Sequence, residues 1–241
     1  SDRYGFVRQA ELKNDSIDST KISLIDGLRN LLPWGIEEGL QTGSSNLADA
    51  YKKIELDQDS GLGIYSLSAL IVDRAEPSEA LKANTVWSLG LENPKYLLYS
   101  LQLDYFRMGQ VVESEWDVRA EKGAYFLNAD FELAPKSTKN WTIVADVNQS
   151  INQITEIREQ LINNQNLIEK LHHDINLGSD ELIRLVAAAD GLQLTADGPK
   201  NIRHFSNTLF NIMRGGIFDL NYTLEKGDFS QYLEAANKKL F

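Results

Sequence analysis

The stretch DRAEPSEALKAN, residues 73–84, gathers three acidic residues and an arginine around a single proline. Asp73, Glu76 and Glu79 are carboxyl groups of the kind that cleave glycosidic bonds. An inverting glycosidase needs two carboxyls about 6.5–9.5 Å apart across a cleft, one of them with a raised pKa. Inverting phosphorolysis needs one acid and a bound phosphate, so paired acids are not required there.

Acids this close in sequence also have a structural interpretation. The tetrapeptide EPSE, residues 76–79, resembles the first turn of a helix, where proline fits and the helix dipole favours acidic side chains. We therefore favour a helix cap or a salt bridge for Asp73, Arg74, Glu76 and Glu79. A lid that faces a substrate and a catalytic acid are the alternatives, in that order.

A second candidate is Arg29, in the segment DGLRN at residues 26–30. Its planar guanidinium suits phosphate or sugar hydroxyls. Gly27 predicts a turn that Asp26 and Arg29 would bracket. Because no second basic residue stands nearby, a structural role is favoured.

The tryptophans are candidates for stacking on a sugar, since an aromatic face suits the apolar C–H face of a pyranose ring. Trp87 and Trp141 fall on the apolar side of alternating segments, so we predict that both are buried. Trp34 and Trp116 are the better stacking candidates, although packing is the favoured interpretation for them as well.

Several classes of chemistry find no support in the composition. The chain has no cysteine, which excludes disulfides, thiolate ligands and a cysteine nucleophile. His172 and His173 are adjacent and would point about 100° apart on a helix, so they do not share a metal ion. No G-x-S-x-G, glycine-rich phosphate loop or H-E-x-x-H motif occurs. We therefore predict no metal site, no cofactor and no catalytic residue.

The charge and the apolar runs restrict the partners. A net charge of −11 argues against nucleic acid and against an anionic membrane surface. No apolar run approaches the roughly 20 residues of a membrane helix. The opening SDRYGFVRQAELKN has no initiator Met and no apolar core of a signal peptide. We expect a fragment of a larger, cytoplasmic protein.

The elements that would position these residues follow from periodicity. Apolar and polar residues alternate in segments 64–71, 85–91, 97–106, 123–133 and 141–148. Such alternation is typical of antiparallel sheet that is covered on one face. Residues 1–149 are therefore predicted to form a β-sandwich.

From residue 150 the period becomes helical. The sequence predicts one long helix ended by Gly178, a second helix capped by Ser179, and a further helix over 200–213. The stripe of the long helix has 3,4 spacing and consists of Ile154, Ile157, Leu161, Asn164, Ile168, Leu171 and Ile175. Residues 150–241 are thus predicted to be a helical extension.

Several phrases resemble segments of large cellobiose-phosphorylase-like proteins. The resemblance spans most of the chain, from residue 4 to residue 218, and the phrases are YGFVRQ (4–9), IDGLRNLLPWGI (25–36), NLADAYKKIEL (46–56), DRAEPSEALKANTVWSLGL (73–91), RAEKGAYFLN (119–128), WTIVADVNQS (141–150), AADGLQLTAD (188–197) and HFSNTLFNIMRGGIF (204–218). Those proteins are related to inverting glycoside phosphorylases, in which a β-supersandwich precedes a helical linker and an (α/α)6 barrel.

The resemblance implies a supporting role. In such enzymes the general acid and the phosphate site lie in the barrel, which this chain is too short to contain. The implied function is to support or cover that barrel, with carbohydrate or a second copy of the chain as further partners. Residues 73–77 would then be a lid. The alternatives are a free-standing carbohydrate-binding module that uses Trp34 or Trp116, and an enzyme that uses Asp73, Glu76 or Glu79.

Overall fold

The structure is a computed structural model and describes residues 1–69, 81–163, 166–217 and 223–236. Asp73, Arg74, Glu76 and Glu79 lie outside the described residues. The chain divides into two compact units, Ser1–Leu171 and His172–Phe241. Antiparallel sheets come first and helices follow, which confirms the predicted fold class.

The bounds of the elements are as follows. The strands are β1 (Phe6–Lys13), β2 (Thr20–Leu31), β3 (Lys52–Asp57), β4 (Leu62–Leu67), β5 (Lys82–Leu89), β6 (Lys95–Leu97), β7 (Asp117–Arg119), β8 (Gly123–Leu133) and β9 (Thr138–Ser150). The helices are α1 (Glu38–Gly43), α2 (Ser45–Ala50), α3 (Gln102–Arg107), α4 (Ile151–Asn163), α5 (Leu167–Ala188), α6 (Gly198–Met213) and α7 (Lys226–Ala236). The predicted boundary after residue 149 falls at the end of β9, whereas the first compact unit extends to Leu171.

Two antiparallel sheets form the first unit. The six-stranded sheet has the order β1-β9-β5-β4-β3-β7, and the three-stranded sheet has the order β2-β8-β6. Alternate residues of both sheets meet in one apolar core, which includes Ile54, Tyr65, Val86, Leu127 and Ile143. Burying a side chain of this size stabilises the fold by about 1.5–3 kcal/mol. We call the core-facing side of the six-stranded sheet its inner face and the other side its outer face.

Two tyrosines in this core carry hydroxyls that are satisfied by backbone carbonyls. The Tyr65 hydroxyl donates to the carbonyl oxygen of Ala124 at 2.7 Å, and the Tyr125 hydroxyl donates to that of Gly61 at 2.7 Å. Burial raises the pKa of both phenols well above the ordinary value. Both therefore remain protonated donors, and each ties its sheet to a neighbouring segment.

The prediction of a strand over 97–106 was wrong. Strand β6 stops at Leu97, and helix α3 follows from Gln102. The carboxylate of Glu115 accepts the backbone N–H groups of Leu98 and Tyr99, at 2.6 and 3.0 Å, which ends the strand pairing there. Leu103 and Phe106, one helical turn apart, then pack on a cluster that includes Leu97 and Phe126.

The helix bounds after residue 150 also differ from prediction. The single long helix is two helices, α4 and α5, and Asn166 between them has a left-handed φ of 53°. Gly178 does not end a helix, since α5 continues through it to Ala188. Ser179 is not an N-cap, because its hydroxyl donates to the carbonyl of Ile175 inside the helix, at 2.9 Å.

In the second unit, the predicted helix over 200–213 is confirmed as α6. Asp197 caps it by accepting the backbone N–H of Lys200 at 3.1 Å. His204 on this helix is hydrogen-bonded through Nε2 to the carbonyl oxygen of Asp190 at 2.8 Å. Across the residues that the structure describes, no helix combines the length and the apolar character needed to span a membrane.

Candidate functional site

Arg29 is an exposed residue of β2, where it pairs with Ala124 of β8. None of the described residues forms an ion pair with it. The predicted turn at Gly27 was wrong, since Gly27 lies in the middle of β2 and faces Phe126 on the next strand. Asp26 instead accepts hydrogen bonds from Arg8 at 2.8 Å and from the indole of Trp141 at 2.6 Å.

The two candidate stacking residues are both accessible. Trp34 is 39% exposed and has the ammonium of Lys82 over its ring, 5.6 Å from the centroid. Trp116 is 45% exposed, and its carbonyl accepts the N–H of Leu56 at 2.9 Å.

Trp87 and Trp141 are buried, as predicted, but on opposite faces of the six-stranded sheet. Trp141 belongs to the core between the sheets. Trp87 follows Val86, a core residue, and therefore points to the outer face. There it meets Tyr4 edge to face, with ring centroids 6.1 Å apart.

A cleft of about 220 Å³ opens over Trp87 on this outer face, where β9 passes into α4. We call it the β9–α4 cleft. Its floor is aromatic and its rim is polar, and its lining residues are Arg3, Tyr4, Thr85, Trp87, Asp146, Gln149, Gln153, Glu156, Ile157 and Gln160.

A β-bulge brings two of the rim residues to the same face. Asp146 and Gln149 are three positions apart and would point to opposite faces of a regular strand. The register between β5 and β9 shifts at Ala83/Thr85, and Asn148 has a φ of 61°. The side chain of Asn84 accepts the N–H of Asn148 at 3.0 Å and holds the bulge in place.

The bulge also explains an error in the predicted alternation of β9. The pattern over residues 141–148 placed Val147 on the apolar face with Trp141 and Ile143. In the structure Val147 is exposed, because the extra residue of the bulge reverses the direction of the side chains that follow.

A capping box starts α4 directly at the end of β9. The side-chain oxygen of Gln153 accepts both the backbone N–H and the hydroxyl of Ser150, at 2.9 and 2.8 Å. The strand therefore enters the helix without an intervening loop. This places Gln153, Glu156 and Gln160 of α4 along one side of the cleft.

An ion pair fixes α4 against the turn between β3 and β4. Arg158 donates to Asp57 at 3.0 Å and to Asp59 at 2.8 Å. Partial burial raises the pKa of Asp57, but the hydrogen bonds from Ser60 and Arg158 outweigh it, so the pKa lies below the ordinary value. The helix wall of the cleft thus depends in part on an ionised Asp57.

This pKa shift predicts an acid-sensitive contribution to stability. Because the pKa of Asp57 is lower in the folded chain than in the unfolded chain, the contribution is full above about pH 4 and is lost as the pH falls through the lowered value. We expect Arg158→Gln to lower the free energy of unfolding slightly at pH 7 and less at low pH, since the pair is partly exposed. Urea unfolding of both proteins across this range tests it. If the free energies of unfolding of the two proteins differ by the same amount at every pH, the Arg158–Asp57 pair is not the source of the pH dependence.

The polar groups of the cleft are only partly satisfied by one another. Glu156 accepts from Arg3 at 3.1 Å and from the Gln160 amide at 2.9 Å, and Asp146 accepts from the Gln149 amide at 2.8 Å. The side-chain oxygen of Gln160 is buried and has no hydrogen-bond partner in the described structure. A buried acceptor without a donor costs about 1–3 kcal/mol.

The carboxyl groups with shifted pKa values do not suit acid catalysis. Asp117 has a lowered pKa because Arg119 donates to it, and the pKa of Asp57 is lowered as well. A general acid at neutral pH needs a raised pKa. Among the described residues, no group of three or more histidine, cysteine, aspartate or glutamate side chains could hold a metal ion. The lining of the β9–α4 cleft itself offers amide and carboxylate groups that can form hydrogen bonds.

The chain matches no protein-family model, and no curated protein is significantly similar to it in sequence. The functional assignment accordingly depends on the geometry of the cleft.

Sequence reasoning missed the residues of this rim. The pattern Ser150-x-x-Gln153 was a readable signal, since a capping box marks the start of a helix directly after the strand. Asp146 and Gln149 carried no such signal, because the bulge that unites them depends on Asn84 of another strand.

Proposed function

We propose that this chain is the non-catalytic, sandwich-type domain of a carbohydrate-active, glycoside-phosphorylase-like protein, and that the β9–α4 cleft holds one sugar unit. The observation that carries the proposal is an aromatic floor beneath a rim of amides and carboxylates that includes a buried acceptor without a partner. Sugar hydroxyls both donate and accept, which is what such a rim requires.

The size of the cleft favours a single ring. About 220 Å³ corresponds to about seven water molecules in the liquid. Trp87 and Tyr4 are nearly covered, so they provide an apolar floor, and the specificity comes from the rim. A polysaccharide would need a longer groove.

The catalytic barrel is proposed to be a separate domain of the same protein. A parent gene that encodes no helical barrel after this chain would overturn this part of the proposal, and so would release of glucose or a sugar phosphate from disaccharides by the chain alone.

Binding is tested by titrating the chain with glucose and cellobiose while recording amide NMR spectra. We expect saturable shifts at Gln149, Gln153 and Gln160. Asp146→Asn and Gln149→Ala should each weaken binding about fivefold or more, because each removes a hydrogen bond to the ligand. Gln110→Ala, in an exposed loop outside the cleft, is the matched control. Absence of saturable shifts, or equal affinity in Asp146→Asn and Gln110→Ala, would refute the cleft as the site.

A second candidate function is favoured by the exposure of Trp34 and Trp116. Each could stack on a sugar ring as part of a carbohydrate-binding module. Trp34→Ala and Trp116→Ala are therefore added to the titration. If one of these two variants loses sugar binding while Asp146→Asn binds normally, the binding site is at that tryptophan and not in the cleft.

A further inference from the structure

A second cavity, of about 420 Å³, lies at the end of the six-stranded sheet where β3 begins. We call it the Lys52 pocket. Its volume falls within the range of small-molecule sites, about 300–1,000 Å³. The lining residues are Asn30, Leu31, Leu32, Gln41, Thr42, Ser45, Lys52 and Lys122.

Lys52 is a charged group at the wall of this pocket, and its side chain is 0% exposed. Its ammonium donates to the side-chain oxygen of Gln41 at 2.7 Å and to the carboxylate of Asp49 at 2.7 Å. An ammonium has three N–H groups, and no third acceptor contacts it among the described residues. The ammonium of Lys52 is thus held beneath the wall of the pocket, and its charge is paired with that of Asp49.

Lys122 adds a second positive charge at the pocket. It is exposed, and it makes no ion pair with any residue that the structure describes. Among the lining residues that the structure describes there is no carboxylate, and the charge of Lys52 is balanced by Asp49. The charge of Lys122 therefore makes this described part of the lining attractive to anions.

The other residues that line the pocket indicate what kind of molecule carries the anionic group. Asn30, Gln41, Thr42 and Ser45 offer amide and hydroxyl groups, while Leu31 and Leu32 supply an apolar wall. The cavity is also larger than an inorganic oxyanion requires. We infer that the Lys52 pocket binds a small organic anion, a carboxylate or phosphomonoester on a hydroxylated body, through Lys122 and the amide and hydroxyl groups of the lining. This inference does not depend on the proposed function of the β9–α4 cleft.

The test is a titration of the isotopically labelled full chain with glucuronate, glucose 6-phosphate, inorganic phosphate and glucose. The amides of Gln41, Ser45 and Lys122 report on the pocket. We expect saturable shifts with glucuronate or glucose 6-phosphate and none there with glucose. Lys122→Ala should weaken binding about tenfold, the effect of losing a charge-assisted hydrogen bond. Because Lys122 is exposed, its replacement leaves the fold intact.

Lys53→Ala is the matched control, because Lys53 is the residue after Lys52 in β3 and forms an ion pair with Glu55. Its replacement changes the net charge by the same amount as Lys122→Ala. Raising the salt concentration to about 0.5 M should weaken binding, because the attraction is partly screened. Shifts with glucose as large as those with the anions, or equal affinity in Lys122→Ala and Lys53→Ala, would overturn the inference. If inorganic phosphate binds as tightly as both organic anions, the pocket does not recognise a hydroxylated body, and that part of the inference is overturned.

Discussion

Replacing Asn14 with aspartate is expected to lower the free energy of unfolding by about 3–5 kcal/mol. The Asn14 amide is nearly covered and donates to the carbonyl oxygens of Asp18 at 2.9 Å, Leu133 at 3.0 Å and Ala134 at 3.1 Å. Aspartate would place a carboxylate oxygen against those acceptors. Urea denaturation at pH 7 measures the loss.

The control for this prediction is Asn140→Asp, which makes the same chemical change at an exposed position of β9. Its effect should stay within about 0.5 kcal/mol. If the two variants unfold at similar urea concentrations, the Asn14 amide does not hold the ends of β1 and β8 together as its contacts indicate.

The second large effect is expected for Gly27→Ala. A Cβ at Gly27 would lie 2.0 Å from the carbonyl oxygen of Tyr125 and 2.7 Å from the Cα of Phe126. Both are backbone atoms of β8, so the clash can be relieved only by separating two paired strands. We expect a loss of about 3 kcal/mol, measured by thermal or urea unfolding.

Gly39→Ala is the matched substitution for Gly27→Ala. Gly39 lies in α1, and no described atom falls within 4 Å of a Cβ placed there. Alanine should stabilise this helix by up to about 1 kcal/mol. Equal destabilisation by both substitutions would mean that the close approach of β2 and β8 is not the cause.

The fold class was predictable because most strands keep one face on the core. In β8 the alternation of Tyr125 and Leu127 reflects the core between the two sheets, although Ala124 and Phe126 on the other face are buried as well. In the segment 97–106 the period misleads. Leu101, Leu103 and Tyr105 alternate as they would in a strand, whereas Leu103 and Phe106 have the spacing of a helix. Glu115, farther along the chain, binds the backbone just before this segment.

The candidate site was much less predictable than the fold. The sequence correctly predicted that Trp87 is buried, but it did not predict on which face of the sheet Trp87 lies. Asp146 and Gln149 converge only through a bulge held by Asn84, and the break between α4 and α5 occurs at Asn166 without a glycine or a proline. Such features depend on contacts between segments that are distant in the sequence, and the periodicity of the sequence does not reveal those contacts.

The pairing of β1 with β9 has a consequence for biosynthesis. Phe6 pairs with Ala145, and Lys13 pairs with Thr138, so the first strand needs a partner that is made much later. At ribosomal speeds of roughly 5–20 residues per second, β1 waits on the order of ten seconds for β9. During that time its edges have no partner within the sandwich. Because such distant closure is slow, the growing chain is most exposed to misfolding before residue 145 leaves the ribosome.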